Sequence, residues 1–499
     1  MTETATETPR YQAVRFLILR LLGLVYLVAF LVVVDQALPL IGHDGLTPAD
    51  DFISRVVETR SRWSAFWESP SLFWAGISDG SLLAVGWVGV VLSGAVLLGF
   101  ANAPILFVLW ALYLSVIHVG QVWWGYGWEN QLTETGFLAI FLVPWLDPRP
   151  WPAQPPPRQV IWLFRWLTFR IFLGAGLIKL RGDACWRDLT CLDFHFLTQP
   201  NPNPLSPLFY YSPVFIHRFE VLYNHLVEVV CPFFVFGPRR LRLIAATLML
   251  VFQVTLILSG NLSFLNWLTI VPLLASLDDQ LLERLSPARL RALLAARLPR
   301  LPLAESRAIA AWALFALVVV LSIPTVENLV SSEQRMNTSH EPFELVNSYG
   351  AFGTVGRVRN EIIFEGTSDA LGPDARWIPY EFKCKPGDPD RRPCWISPYH
   401  YRLDWQIWFA AMEDVSDEPW TVHFVEKLLK NDPQTLGLLA GNPFPVAPPR
   451  SIRAELYEYS YAPLGARAWW TRKPVGEWLP PLSLDDPRLQ KFMDAFGWH

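Results

Sequence analysis

Between Lys179 and Glu228 the chain sets a run of ionisable side chains beside and inside apolar segments. Lys179, Arg181, Asp183, Arg187, Asp188, Asp193 and His195 follow the apolar stretch Val160–Ile178, and His217, Glu220, Asn224 and Glu228 fall on the next one. At the helical period those four lie at roughly 0°, −60°, −20° and +20°, a single polar stripe on an otherwise apolar helix. Carboxylates facing hydrocarbon are costly, so the stripe should face a cavity or a cation, and Lys179 and Arg181 are the nearest in sequence. Two kinds of chemistry suit this group: a buried ion-pair network, or a site that binds or transforms a ligand. A metal centre is not indicated, because His195, His217 and His225 lack a ligand spacing such as H-E-x-x-H. No cofactor motif is evident either.

The elements that must carry these residues are membrane-spanning. Of 499 residues, 52% are hydrophobic and only 17% charged, against roughly 25% charged in soluble proteins. The 24 Trp and 32 Phe suit interfacial belts, and mean hydropathy is +0.26. A net charge of −4 with no basic stripe excludes a nucleic-acid partner and leaves the lipid bilayer as the expected one. About nine spans are expected, near Val14–Val34, Ser81–Phe100, Pro104–Val119, Thr133–Leu146, Val160–Ile178, Phe219–Phe236, Leu241–Leu258, Leu262–Leu277 and Ile309–Ile323. The first reads as a signal anchor rather than a cleaved leader, since it is long and no small-residue cleavage site follows it.

Arginine placement gives an orientation. Arg149 and Arg158, then Arg239, Arg240 and Arg242, then Arg284, Arg289, Arg291, Arg297, Arg300 and Arg307 fall in loops that share one side if spans alternate. Arg10, Arg15 and Arg20 put the N-terminus there too, on the cytoplasmic side. The acidic segment Asp35–Ser71 and everything after about Val326 then lie outside. The expected division is a multi-span α-helical domain over residues 1–326 and an extracytoplasmic, strand-rich α+β domain over 327–499. Cys185 with Cys191 and Cys384 with Cys394 share outside loops and are disulfide candidates, whereas Cys231 reads as a small buried apolar residue. In the outer domain Phe343–Phe352, Glu361–Glu365, Ile452–Tyr459 and Arg467–Arg472 read as strands. Trp377–Cys384 and Cys394–Ser397 read as a hairpin, and Asp404–Met412 and Trp420–Leu429 as helices. No Gly-x-Ser-x-Gly elbow occurs in this outer domain, so the domain is not itself an ordinary serine lipase.

Longer motifs carry a family resemblance. Gly176-Leu-Ile-Lys-Leu-Arg-Gly-Asp-Ala-Cys-Trp-Arg-Asp-Leu-Thr-Cys-Leu-Asp-Phe-His, Gln199-Pro-Asn-Pro-Asn-Pro, His217-Arg-Phe-Glu, Ser259-Gly-Asn-Leu-Ser-Phe-Leu-Asn-Trp-Leu-Thr, Tyr380-Glu-Phe-Lys-Cys-Lys-Pro-Gly-Asp-Pro and Ser397-Pro-Tyr-His-Tyr-Arg-Leu-Asp-Trp resemble the lipase maturation factors. That resemblance implies a multi-pass chaperone that helps exported lipase clients fold and assemble. Its location would be the endoplasmic reticulum membrane in a eukaryote, or the cytoplasmic membrane in a bacterium. Tyr399, His400, Arg402, Asp404 and Trp405, clustered polar and aromatic residues after the second cysteine pair, are the expected client-binding surface. Ala175-Gly-Leu-Ile-Lys-Leu is also similar to a segment of the vitamin K-dependent carboxylases. That second likeness implies an enzyme with Lys179 as base, its pKa lowered by desolvation, and His217 and Glu220 orienting substrate.

Overall fold

A computed structural model describes residues 10–295 and 299–498. Its N-terminal part is helical. The main helices are α1 (Gln12–Ile41), α2 (Asp79–Leu98), α3 (Ala103–Val119), α4 (Gly127–Leu142), α5 (Arg158–Arg181), α6 (Val214–His225), α7 (Arg239–Ser259), α8 (Leu265–Leu273) and α9 (Glu305–Val330). Among the described residues five of these, α1, α2, α5, α7 and α9, are long and apolar enough to cross a membrane, and α3 and Leu265–Ser276 are shorter apolar helices. The expected count of nine is therefore not reached by length and composition. The stretch expected as Thr133–Leu146 is α4, 16 residues long and carrying Glu129, Gln131 and Glu134. The stretch expected as Phe219–Phe236 is broken by a π-helical turn at Leu226–Val230.

Helix α1 is the central post. It packs antiparallel on α2, where Gly23 meets Val96 and Leu97, and Gly89 and Gly86 meet Phe30 and Val34. A Cβ on Gly89 would fall inside the Phe30 ring, so the small residue is what lets the two helices close. At one end of the bundle the Asp279 carboxylate accepts hydrogen bonds from the backbone N–H groups of Gln12, Ala13 and Val14 (2.7–3.1 Å), capping α1. Around it, Asp278 pairs with Arg239 and Arg242, Arg10 with Glu283, and Arg15 and Arg307 both reach Gln154. The basic loops picked out by composition thus meet at a single end. Arg297 lies outside the described residues.

The C-terminal region docks on the opposite end. Its sheet has the order β4 (Ile378–Pro379), β3 (Arg359–Thr367), β5 (Ser451–Tyr461), β6 (Trp470–Leu482), all antiparallel. Helices α10 (Arg402–Ala410) and α11 (Trp420–Leu429) pack on it, and Phe364, Phe382, Phe424 and Trp478 meet between the layers. The expected hairpin is corrected: Trp377–Cys384 contributes β4, paired with β3, and a single bridge from Phe382 to Leu439, and Cys394–Ser397 forms no strand. The prolines on both sides of it, Pro386, Pro389, Pro393 and Pro398, each lack the N–H a ladder needs. Of Phe343–Phe352 only β2 (Asn347–Ser348) is a strand, paired with β1 (Thr338–Ser339). The helix expected at Asp404–Met412 starts two residues earlier, and the last strand runs on to Leu482.

Candidate functional site

The polar stripe divides in two. Lys179, in the last turn of α5, places Nζ 2.7 Å from both carboxylate oxygens of Glu228 and 2.9 Å from Asn224 Oδ1. Gly176 lies against Glu228, and the π turn holding Glu228 swings the carboxylate toward α5. The Asn224 amide also donates to Glu228 at 3.1 Å, and the Trp186 ring centroid lies 5.0 Å from Nζ. An ammonium group has three N–H donors, and all three are taken here. About two turns before Asn224, His217 Nδ1 is 2.9 Å from Asp193, which also pairs with Arg218, and His217 Nε2 meets the Phe209 carbonyl. Glu220 joins neither group: it is half-buried, and its Oε2 has no hydrogen-bond partner.

Three residues expected beside Lys179 serve other ends. Arg181 donates to Gln334 at 2.6 Å. Asp183 caps the short helix Ala184–Arg187 through the Cys185 N–H and pairs with Arg357 at 3.0 Å. His195 is buried against Phe196 and Phe352, and burial, with Lys179 nearby, pulls its pKa down to about 4, so the ring is neutral. Among the described residues no cluster of three or more His, Cys, Asp or Glu is arranged to hold a metal. Both expected disulfides are formed, Cys185–Cys191 with Cα atoms 4.7 Å apart and Cys384–Cys394 at 5.6 Å. Cys231 is free and buried.

The segment Tyr399–Trp405 is not an open surface. His400, Arg402 and Asp404 are fully buried, Trp405 is nearly so, and Tyr399 is half-buried. They form the seam between the sheet region and the helices. Gln36 of α1 donates to the His400 carbonyl and the Tyr399 hydroxyl (2.9 Å each) and accepts from the Arg402 N–H. The Arg402 guanidinium lies 2.8 Å from Glu129, donates to the Trp123 carbonyl and stacks on Trp124 at 4.0 Å. Ser263 meets His400 Nδ1 at 2.9 Å, and Asn261 donates to the Cys394 carbonyl at 2.9 Å. Polar and aromatic residues in sequence read as a client face because the partners that bury them lie on distant helices.

Two further buried ion-pair groups are absent from the sequence-derived set. In the first, Glu134 of α4 pairs with Arg170 of α5 and accepts from the Asn347 N–H (3.0 Å) and the Tyr349 hydroxyl (2.8 Å). Charges inside the apolar stretches Thr133–Leu146 and Val160–Ile178 were the signal available for it. In the second, Arg359 and Lys385 flank Glu361, and Arg359 also donates to the carbonyls of Leu197, Gln199 and Pro200. That contact ties the proline-rich Gln199–Pro204 segment to the central strand β3.

Both halves match one family. Residues 13–284 match the model described as the lipase maturation factor transmembrane domain, and residues 345–480 the lipase maturation factor C-terminal domain. The chain is 46% identical to Lipase maturation factor 1 of Homo sapiens over 99% of its own length and 91% of that protein. The chain belongs to the lipase maturation factor family. It is also 48% identical to the Bos taurus Lipase maturation factor 1, covering 95% of this chain and 90% of that one. With Lipase maturation factor 2 of Rattus norvegicus the identity is 29% over 95% and 83%. No solved structure matches. Family membership supports a lipase-maturation role in a membrane setting, and nothing in these comparisons supports the carboxylase-like reading of Lys179.

One pH dependence follows from the seam. Asp404 Oδ2 accepts the Cys384 N–H at 2.7 Å, while burial pushes the carboxyl pKa up to about 7 against that hydrogen bond and the nearby Lys385. The unfolded value is near 3.9. Between pH 4 and pH 7 the folded state holds the extra proton, so stability falls as pH rises through that window and is level on either side. Asp404→Asn should flatten the slope, which is on the order of 4 kcal/mol in total for a shift of this size. Thermal melts of wild type and variant across pH 4–8 check it, and parallel curves would remove Asp404 as the cause.

Proposed function

We propose that this protein promotes the folding and assembly of an exported lipase, with residues 327–499 on the outer side receiving the client and residues 1–326 anchoring it at the membrane. The match to lipase maturation factors across both halves carries the reading. The gathering of the basic loops at one end and the sheet region at the other supports an N-terminus on the cytoplasmic side. Two disulfides at the sheet-side end suit an oxidising compartment. The saturated Lys179 ammonium supports a structural role for the membrane polar centre.

The client-facing candidates move to apolar side chains that remain open on the sheet region: Trp395 (47% exposed), Leu464 (58%) and Val475 (55%). Apolar groups left in water on a protein-handling domain are where a partly folded partner would be held. In cells lacking the protein, Trp395→Ser with Val475→Asp should cut the rescue of secreted lipase activity several-fold at unchanged protein level. Full rescue by that double variant would remove these side chains from the proposal. Failure of the wild-type chain to rescue any lipase would remove the proposal itself.

A further inference from the structure

The face between α5 and α9 holds a groove that the lipase-maturation reading does not use. Its volume is about 520 Å³, and its walls include Trp162, Trp166, Phe236, Phe315, Val319 and Ile323. Trp162 stacks on Phe236 at 5.6 Å, and the Trp166 indole N–H donates to Ser322 Oγ at 2.9 Å, which fixes both rings as wall rather than lid. The volume is that of a small-molecule pocket. From Phe315 to Glu327 the α9 wall is roughly 18 Å long, comparable with one leaflet of a roughly 30 Å hydrocarbon core. Trp162, Val319 and Ile323 stay 45%, 54% and 57% exposed, so the groove opens sideways where lipid tails lie.

The residues next in sequence to its two ends carry opposite charge. At the Trp162 and Phe236 end, Arg158 sits one turn before Trp162 and Arg240 four residues after Phe236. Both are exposed, and among the described residues neither has a carboxylate within ion-pair distance. At the far end Glu327 lines the wall and is exposed. We infer that the groove holds one acyl chain of an anionic glycerophospholipid from the leaflet on the arginine side, with the phosphate on Arg158 and Arg240. Glu327 repels the reverse orientation.

The test is native mass spectrometry of the purified full chain, delipidated and titrated with phosphatidylglycerol or phosphatidylcholine. Wild type should retain one phosphatidylglycerol in preference to phosphatidylcholine. Val319→Trp, which fills an exposed wall position, should abolish that adduct. Arg158→Glu with Arg240→Glu, both on the surface and no threat to folding, should lower phosphatidylglycerol affinity on the order of 30-fold or more while leaving phosphatidylcholine unchanged. The inference is overturned if wild type retains no stoichiometric lipid, if either variant keeps the wild-type adduct, or if Val319→Trp instead dissolves a dimer. The last result would assign the groove to a second copy of the chain. None of these outcomes depends on lipase rescue, so this proposal and the maturation proposal fail separately.

Discussion

Arg402→Ala should cost about 3–5 kcal/mol and loosen the sheet region from the helices, because it strands a buried carboxylate. Glu129 is fully buried on α4 and is held by Arg402, by the Trp128 indole N–H at 2.9 Å and by the Tyr113 hydroxyl. Removing the guanidinium leaves a negative charge with neutral donors only. It also empties the space above Trp124 and frees the Trp123 carbonyl. Arg402→Lys should fare little better, since a point charge on a flexible stem cannot meet Glu129, meet the Trp123 carbonyl and stack at once. Arg402→Met with Glu129→Gln should recover a good part of the loss, because the charge disappears with its partner. Melting temperature and the rate of proteolysis near Ser331–Gln334, between the helices and the first strand, report the two halves of the claim. A melt within 1 kcal/mol of wild type, with unchanged proteolysis, would mean the seam is held by packing alone.

That seam is also where reading the chain in sequence order went astray. Hydropathy is measured along the chain, so it registers that Tyr399–Trp405 is polar and aromatic but not that Gln36, Trp123 and Ser263 cover it from more than a hundred residues away. The stripe from His217 to Glu228 was legible, because a 3.6-residue period needs no knowledge of partners. Its division into a Lys179 group and an Asp193 group was not. A π turn at Leu226–Val230 rotates Glu228 relative to an ideal helix, and no residue type announces such a turn. Short cysteine spacings foretold both disulfides. The hairpin expected around Lys385-Pro-Gly-Asp-Pro-Asp followed turn chemistry, but its first arm pairs with β3 at Ile378–Pro379 and through the Tyr380 N–H rather than with Cys394–Ser397. The count of nine spans is not confirmed: five described helices meet the length and composition of a span, and α4, one of the stretches expected to cross, buries Glu129 and Glu134.

Glu134 supplies the second large effect, and its partners make the expected outcome differ from that at Arg402. Arg170→Leu should destabilise the chain by about 3–5 kcal/mol, since Glu134 and Arg170 are each only 1% exposed and the carboxylate would stay buried without its cation. Neutralising both, as Arg170→Leu with Glu134→Leu, should recover less than the corresponding pair at the seam. Glu134 also accepts from the Asn347 N–H, the Asn347 amide and the Tyr349 hydroxyl, and leucine leaves all three unpaired. Arg170 in turn donates to the Asn347 carbonyl at 2.7 Å, so the pair fastens β2 between α4 and α5. Gly174 completes that fit by admitting the Tyr349 carbonyl where a Cβ would collide with it. Tyr349→Phe, which removes one donor and leaves the pair intact, should cost only about 1 kcal/mol. The order Arg170→Leu worst, double variant intermediate and Tyr349→Phe mildest, read from melts of the full chain, is specific to a carboxylate shared among a cation and several neutral donors. A double variant as stable as wild type would mean that the pair contributes nothing beyond its own cancellation and that β2 is held by shape alone.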